Sequence, residues 1–139
     1  MFILKKINNS RINVPEPEYL PTTASEEYKE GEALVLLAGA LTKASGTTKP
    51  THVALASYKA PASGQKELAV ARISHEMEFE APVTFSGTPA AIVLGSKVTL
   101  ASDGLGVTDV TTGGVATVID CLVANEAKEN GDKIHVIFE

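Results

Sequence analysis

Residues 31–74 read GEALVLLAGALTKASGTTKPTHVALASYKAPASGQKELAVARIS, and their rhythm decides the fold. A glycine opens the stretch, apolar residues alternate, a glycine turns the chain, and the pattern starts again. Alternation with a period of two marks strands in a sheet, and glycine punctuation marks tight turns between them. The same rhythm returns over residues 95–138, GSKVTLASDGLGVTDVTTGGVATVIDCLVANEAKENGDKIHVIF. Gly31 falls on Gly95, Leu34 on Val98, Leu36 on Leu100 and Leu41 on Leu105, at a constant difference of 95 − 31 = 64. A few inserted residues later, Gly64 falls on Gly131, Leu68 on Ile134 and Val70 on Val136. The chain therefore carries a duplicated β unit, about four strands per copy.

Within the first copy, Ala33–Leu37 reads as a strand with Leu34 and Leu36 on one face and Val35 and Leu37 on the other. Ala38-Gly39 turns it into a return strand over 40–43, and further strands are expected over 51–58 and 67–74. There Val53 and Leu55 alternate with His52, Ala54 and Ala56, the pattern of a half-buried strand. The second copy predicts strands over 97–101, 105–110, 115–123 and 133–138. Its turns fall at Asp103-Gly104, Gly113-Gly114 and Asn130-Gly131. Between the copies, Met77-Glu78-Phe79-Glu80 alternates and predicts a strand that runs on across 81–85. Thr88 as N-cap and Pro89 behind it would then start one helical turn over 90–93. Residues 126–129 read as a charged loop or a single helical turn. The fold class is all-β: a compact barrel or sandwich of about eight or nine short strands.

Residues 1–30 differ from the β domain over 31–139. Asn8, Asn9, Ser10 and Asn13, with Pro15, Pro17 and Pro21, break any helix and favour extended backbone. Yet Ile3, Ile7, Ile12, Val14, Tyr19 and Leu20 are too apolar for a plain linker. An extended N-terminal arm of this kind lies along a surface, its own or a partner's, and these six residues are the candidate contacts.

The totals narrow the function. A chain of 139 residues fits one domain; 44% of it is hydrophobic, but only 5% is aromatic and Trp is absent. A net charge of −5 argues against a nucleic-acid binder, which needs a clustered basic surface. No apolar run approaches the ~20 residues of a membrane helix, and Lys5 and Lys6 cut short any export signal. The lone Cys121 excludes an intrachain disulfide and reads as a small buried hydrophobe. His52, His75 and His135 read as solvent-facing strand residues, and Glu26, Glu27, Glu30 and Glu32 as a solvated acidic edge. Neither a nucleophile elbow, a phosphate-cradling loop nor a metal-ligand spacing is present, so neither catalytic residues, a metal nor a cofactor is expected.

Laid out in this way, the chain resembles the small capsid decoration, or cement, proteins of tailed bacteriophages and prophages. The residues that carry the resemblance are the proline-containing leader, Gly31-Glu32-Ala33-Leu34-Val35-Leu36 leading to Gly39-Ala40-Leu41-Thr42-Lys43, and Ser45-Gly46-Thr47-Thr48-Lys49-Pro50. The strand over 51–56 follows, then Leu68-Ala69-Val70-Ala71-Arg72-Ile73, and Gly95-Ser96-Lys97-Val98-Thr99-Leu100 with Asp103-Gly104 closes the pattern. The resemblance implies a non-enzymatic virion protein, made in the bacterial cytoplasm, that binds the major capsid protein on the outside of an assembled head. It also implies a homo-oligomer, with a trimer favoured, that strengthens the lattice. The internal duplication departs from the short members of that family. Two other classes stay open: a fibre, tail or host-adhesion module, for which exposed aromatics are scarce, and a small β enzyme assembled from His52, His135 and Asp120.

Overall fold

In the computed structural model, which describes residues 1–8, 15–86, 91–122 and 126–139, the regular elements are all strands. The first half supplies β1 (Ile3–Ile7), β2 (Glu18–Leu20), β3 (Glu27–Tyr28), β4 (Ala33–Leu37), β5 (Ala40–Lys43), β6 (His52–Ala54), β7 (Tyr58–Lys59) and β8 (Leu68–Arg72). The second supplies β9 (Met77–Thr84), β10 (Ile92–Val93), β11 (Lys97–Val98), β12 (Val107–Thr108), β13 (Ala116–Cys121), β14 (Glu126–Ala127) and β15 (Lys133–Phe138). These fifteen segments replace the eight or nine expected, because anticipated strands break at bends. The stretch 51–58, for example, splits into β6 and β7.

One sheet runs β2-β8-β6-β4-β5 and the other β1-β9-β15-β13-β11, with β12 pairing β9 in parallel. Two small pairs, β3-β7 and β10-β14, flank them. A parallel bridge between Thr22 and Leu41 ties β5 back towards the end of β2, as β12 ties back to β9. Among the described residues neither sheet closes into a barrel, and the arrangement is sandwich-like.

The duplication holds at the level of register. In the first sheet the pairs are Ala33↔Val53, Leu34↔His52, His52↔Arg72, Val53↔Ala71 and Ala54↔Val70. In the second they are Lys97↔Thr117, Val98↔Ala116, Ala116↔Phe138, Thr117↔Ile137 and Val118↔Val136. The differences are constant, 97 − 33 = 64 and 117 − 53 = 64 on the inner strands and 138 − 72 = 66 on the last. Backbone hydrogen bonds coincide too. The Gly31 amide donates to Ala54 O as that of Gly95 does to Val118 O, both at 2.8 Å. Gly31 and Gly95 both take positive φ, 78° and 84°, which is why this entry turn demands glycine in each copy. Leu41, opposite Leu36, corresponds to Val107, opposite Leu100, rather than to Leu105.

The units begin earlier than the repeat in the sequence. Glu18↔Val70 and Leu20↔Leu68 match Phe79↔Val136 and Ala81↔Ile134, so β2 is the counterpart of β9. Residues 1–8 and 15–30 are not a separate arm. β2 and β3 are strands of the first unit, and β1 pairs β9 of the second. Phe2 is buried with its ring edge-on to Phe79 and Phe138, at centroid distances of 6.4 and 5.3 Å. These pairings join residues far apart in sequence, where local composition carries no signal. Ile12, Val14, Thr88 and Pro89 lie outside the described residues, and of the helical turn expected over 90–93, Ile92 and Val93 form β10 instead.

Two clusters make the core. The smaller, inside the first unit, joins Tyr28, Leu34, Leu41, Ala54, Ala60, Leu68 and Val70. The larger fills the second unit and reaches across to Ala33, Val35, Ala44 and Val53 on the opposite face of the first sheet. With apolar contacts on both faces, β6 is wholly buried rather than half-buried.

Candidate functional site

The described contact candidates fall in three settings. Ile3 and Ile7 are half-buried on β1, opposite Glu80 and Met77. Leu20 is paired with Leu68 and packs on the smaller core cluster. Tyr19, the intervening residue, points outward and is 62% exposed. Alternation along β2 thus separates a structural Leu20 from a surface Tyr19.

The histidines and acidic residues are held more tightly than their sequence suggests. His52 and His135 are not solvent-facing; His75 is exposed. The Thr51 hydroxyl accepts the Leu36 amide proton and is hydrogen-bonded to His52 Nδ1 at 2.8 Å. His52 Nε2 then faces the Glu18 carboxylate at 3.6 Å, and Glu18 is itself held by Arg72 at 3.0 Å. His135 Nδ1 meets Glu78 at 2.5 Å, while its Nε2 lies 3.6 Å from Glu80; Lys6 and Lys5 pair with those two carboxylates. Glu32, expected on a solvated edge, is buried where the units meet. One of its oxygens accepts the Lys29 amide at 2.8 Å; the other has only Lys43 Nζ, at 3.9 Å.

Burial pushes the Glu32 carboxyl above the ordinary value, against the pull of the Lys29 amide and Lys43. Burial likewise pushes the His52 imidazole down, against the pull of Glu18. A carboxyl raised in the folded state contributes stability that is present at acidic pH and lost as pH rises through its folded pKa. Glu32→Gln, which keeps an acceptor for the Lys29 amide, should therefore raise Tm at neutral pH. The gain should vanish as pH falls below the usual carboxylate range of ~4.3. His52 acts in the opposite sense: its contribution is present above ~6.5 and is lost on acidification. Thermal melts of parent and variant across pH check the Glu32 sign; a Glu32→Gln gain that persisted at acid pH would contradict it.

These groups do not converge on a catalytic centre. His52 lies in the first sheet, while His135 and Asp120 face each other as partners in the second. Among the described residues no group of three His, Cys, Asp or Glu is placed to hold a metal ion. Cys121 is buried and its thiol lies 3.9 Å from Ile92 O. A concavity of about 870 Å³ is an open groove beside Leu36, Pro50, Thr51, His52, Arg72 and Phe138. Neither a protein-family model, a curated protein nor a solved structure matches the chain.

The surface has one feature that sequence reading missed. Val93, Leu94, Ile119 and Leu122 are all exposed. The bond from the Gly95 amide to Val118 O brings Leu94 and Ile119 to neighbouring positions at one end of the second unit. Their setting is informative: 93 − 64 = 29 and 94 − 64 = 30, so Lys29 and Glu30 occupy the counterpart positions of Val93 and Leu94. Two charged residues of the first unit thus stand where the second has Val93 and Leu94, while Ile119 falls on Leu55, since 119 − 64 = 55. That contrast was available in the aligned repeats.

Proposed function

We propose that this protein is a capsid decoration protein: it binds the outer surface of an assembled phage head and stabilises the shell. The observation that carries the reading is the set of exposed apolar residues at one end of the second unit, where Leu94 and Ile119 are neighbours. Contiguous apolar surface rimmed by polar residues marks a docking site for another macromolecule. A cement protein needs a stiff body and an adhesive face, and it needs no catalytic centre. Its partner on this reading is the major capsid protein, engaged by several copies at once, as a trimer spanning neighbouring subunits would do. Because it binds the assembled lattice and not dispersed subunits, many weak attachments stabilise the shell by mass action.

The test is a pair of substitutions on that end. At ~25 cal/mol per Å² of apolar surface, covering the exposed parts of Leu94 and Leu122 supplies about 2 kcal/mol. Leu94→Asp with Leu122→Asp should therefore weaken binding to heads by roughly 30-fold or more, with an unchanged melt of the free protein. Heads stripped of the protein should rupture at lower temperature or under milder osmotic shock. Equal robustness of stripped and decorated heads would favour the host-adhesion alternative.

A further inference from the structure

The two units meet through a contact of which each copy of the chain makes only one of two possible versions. Leu100, at the base of the second unit's hairpin, exchanges backbone hydrogen bonds of 2.9 and 3.1 Å with Gly46 of the first unit. Beside it, the Ala33 amide donates to Gly104 O at 2.8 Å, and a Cβ on Gly113 would lie 2.8 Å from the Thr47 methyl. The loop over 44–47 of the first unit thus fills the space next to Leu100 in the second.

The duplication says where the other version would form. Leu100 corresponds to Leu36, since 100 − 36 = 64. The Thr48 amide bonds Ser45 O as the Gly114 amide bonds Thr111 O, so Ser45 corresponds to Thr111 and Gly46 to Thr112. By the same spacing, 111 − 45 = 66, Ala44 corresponds to Val110. The burial of the two sets is opposite. Leu100 is 1% exposed and Ala44 fully buried, whereas Leu36 is 38%, Leu37 57% and Val110 43% exposed. The space next to Leu36 is the open groove, lined by Thr51, His52 and Arg72, which are the counterparts of Val115, Ala116 and Phe138. The hairpin that presents Leu36 and Leu37 closes in a two-residue turn, with positive φ at both Ala38 and Gly39.

We propose that a second copy of this chain fills the groove. Residues 110–113 of one copy dock beside Leu36 of the next, in the place that residues 44–47 take beside Leu100 within each copy; the Leu36 amide keeps its bond to the Thr51 hydroxyl, so the contact rests on apolar packing. Exposed apolar residues on both sides of the unmade contact, at positions buried in the made one, point to this occupant. The contact is head-to-tail, since the surfaces that meet differ, so it generates a closed ring or an open filament and not a two-fold dimer. The inference stands apart from the shell reading, because it needs no particle.

The experiment uses two single variants of the full chain, Leu36→Cys and Thr112→Cys, with Cys121 left in its buried place. Mixed in equal amounts under oxidised glutathione, they should form disulfide-linked dimers at least 10-fold more efficiently than either variant alone. Sedimentation should show the parent associating with rising concentration. Leu36→Asp with Leu37→Asp should remain monomeric with an unchanged melt. A parent that stays monomeric, a mixture that links no better than its components, or an associated charged variant would each overturn the proposal.

Discussion

A chain lacking residues 1–8 loses a large part of its stability. The reason is Phe2, which is buried edge-on between Phe79 and Phe138 at the centre of the larger core cluster. Its amide also donates to Gly31 O at 2.8 Å, closing the chain over the entry to the first unit. Removing a buried phenylalanine side chain costs ~3–5 kcal/mol, a large share of the ~5–15 kcal/mol that holds an ordinary domain together. Truncation adds the loss of the β1 pairing with β9. Phe2→Ala alone should lower Tm by about 10 °C or more, and the truncated chain should melt lower still or without cooperativity. Calorimetry decides it: an unchanged melt for the truncated chain would mean that the β body folds without residues 1–8.

Gly114→Ala should be comparably damaging, for a different reason. A Cβ at this position would lie 2.4 Å from the Lys97 carbonyl carbon and 2.7 Å from the Val98 amide nitrogen. Backbone atoms on β11 have no flexible side chain to move aside, so the strand itself must shift. Forced overpacking of this kind reaches the upper end of ~1–3 kcal/mol or exceeds it. Gly64→Ala is the control. It has open space and a φ of 74°, so it should cost only the ~1–2 kcal/mol of a left-handed backbone. Denaturant titration of the two variants should rank them in that order; Gly64→Ala as the worse of the two would contradict the packing.

The repeat was legible because glycine marks it: Gly31 and Gly95 occupy the same positive-φ turn, and the alternation around Val70 and Val136 keeps the same register. What local pattern could not show is which distant strands pair. The proline-rich leader looked like an arm, yet Tyr19 opposite Ala69 and Leu4 opposite Phe79 stitch it into both sheets. His52 looked solvated because it alternates with apolar Val53, and Glu32 because it belongs to an acidic cluster with Glu26, Glu27 and Glu30. Packing on the second face of the first sheet, a tertiary event, buries them instead. Of the candidate contact residues, Tyr19 emerged on the surface, while Leu20 turned inward. The apolar residues Val93, Leu94, Ile119 and Leu122 lie outside residues 1–30, where composition had pointed to contacts.

The proposed role comes down to where the protein sits on a particle. Cryo-electron microscopy of phage particles that carry it should show density for the two-unit β body on the outside of the head. The end bearing Leu94 and Leu122 should be turned towards the shell. Density on the tail or at a fibre tip, or none on the head at all, would contradict the decoration reading.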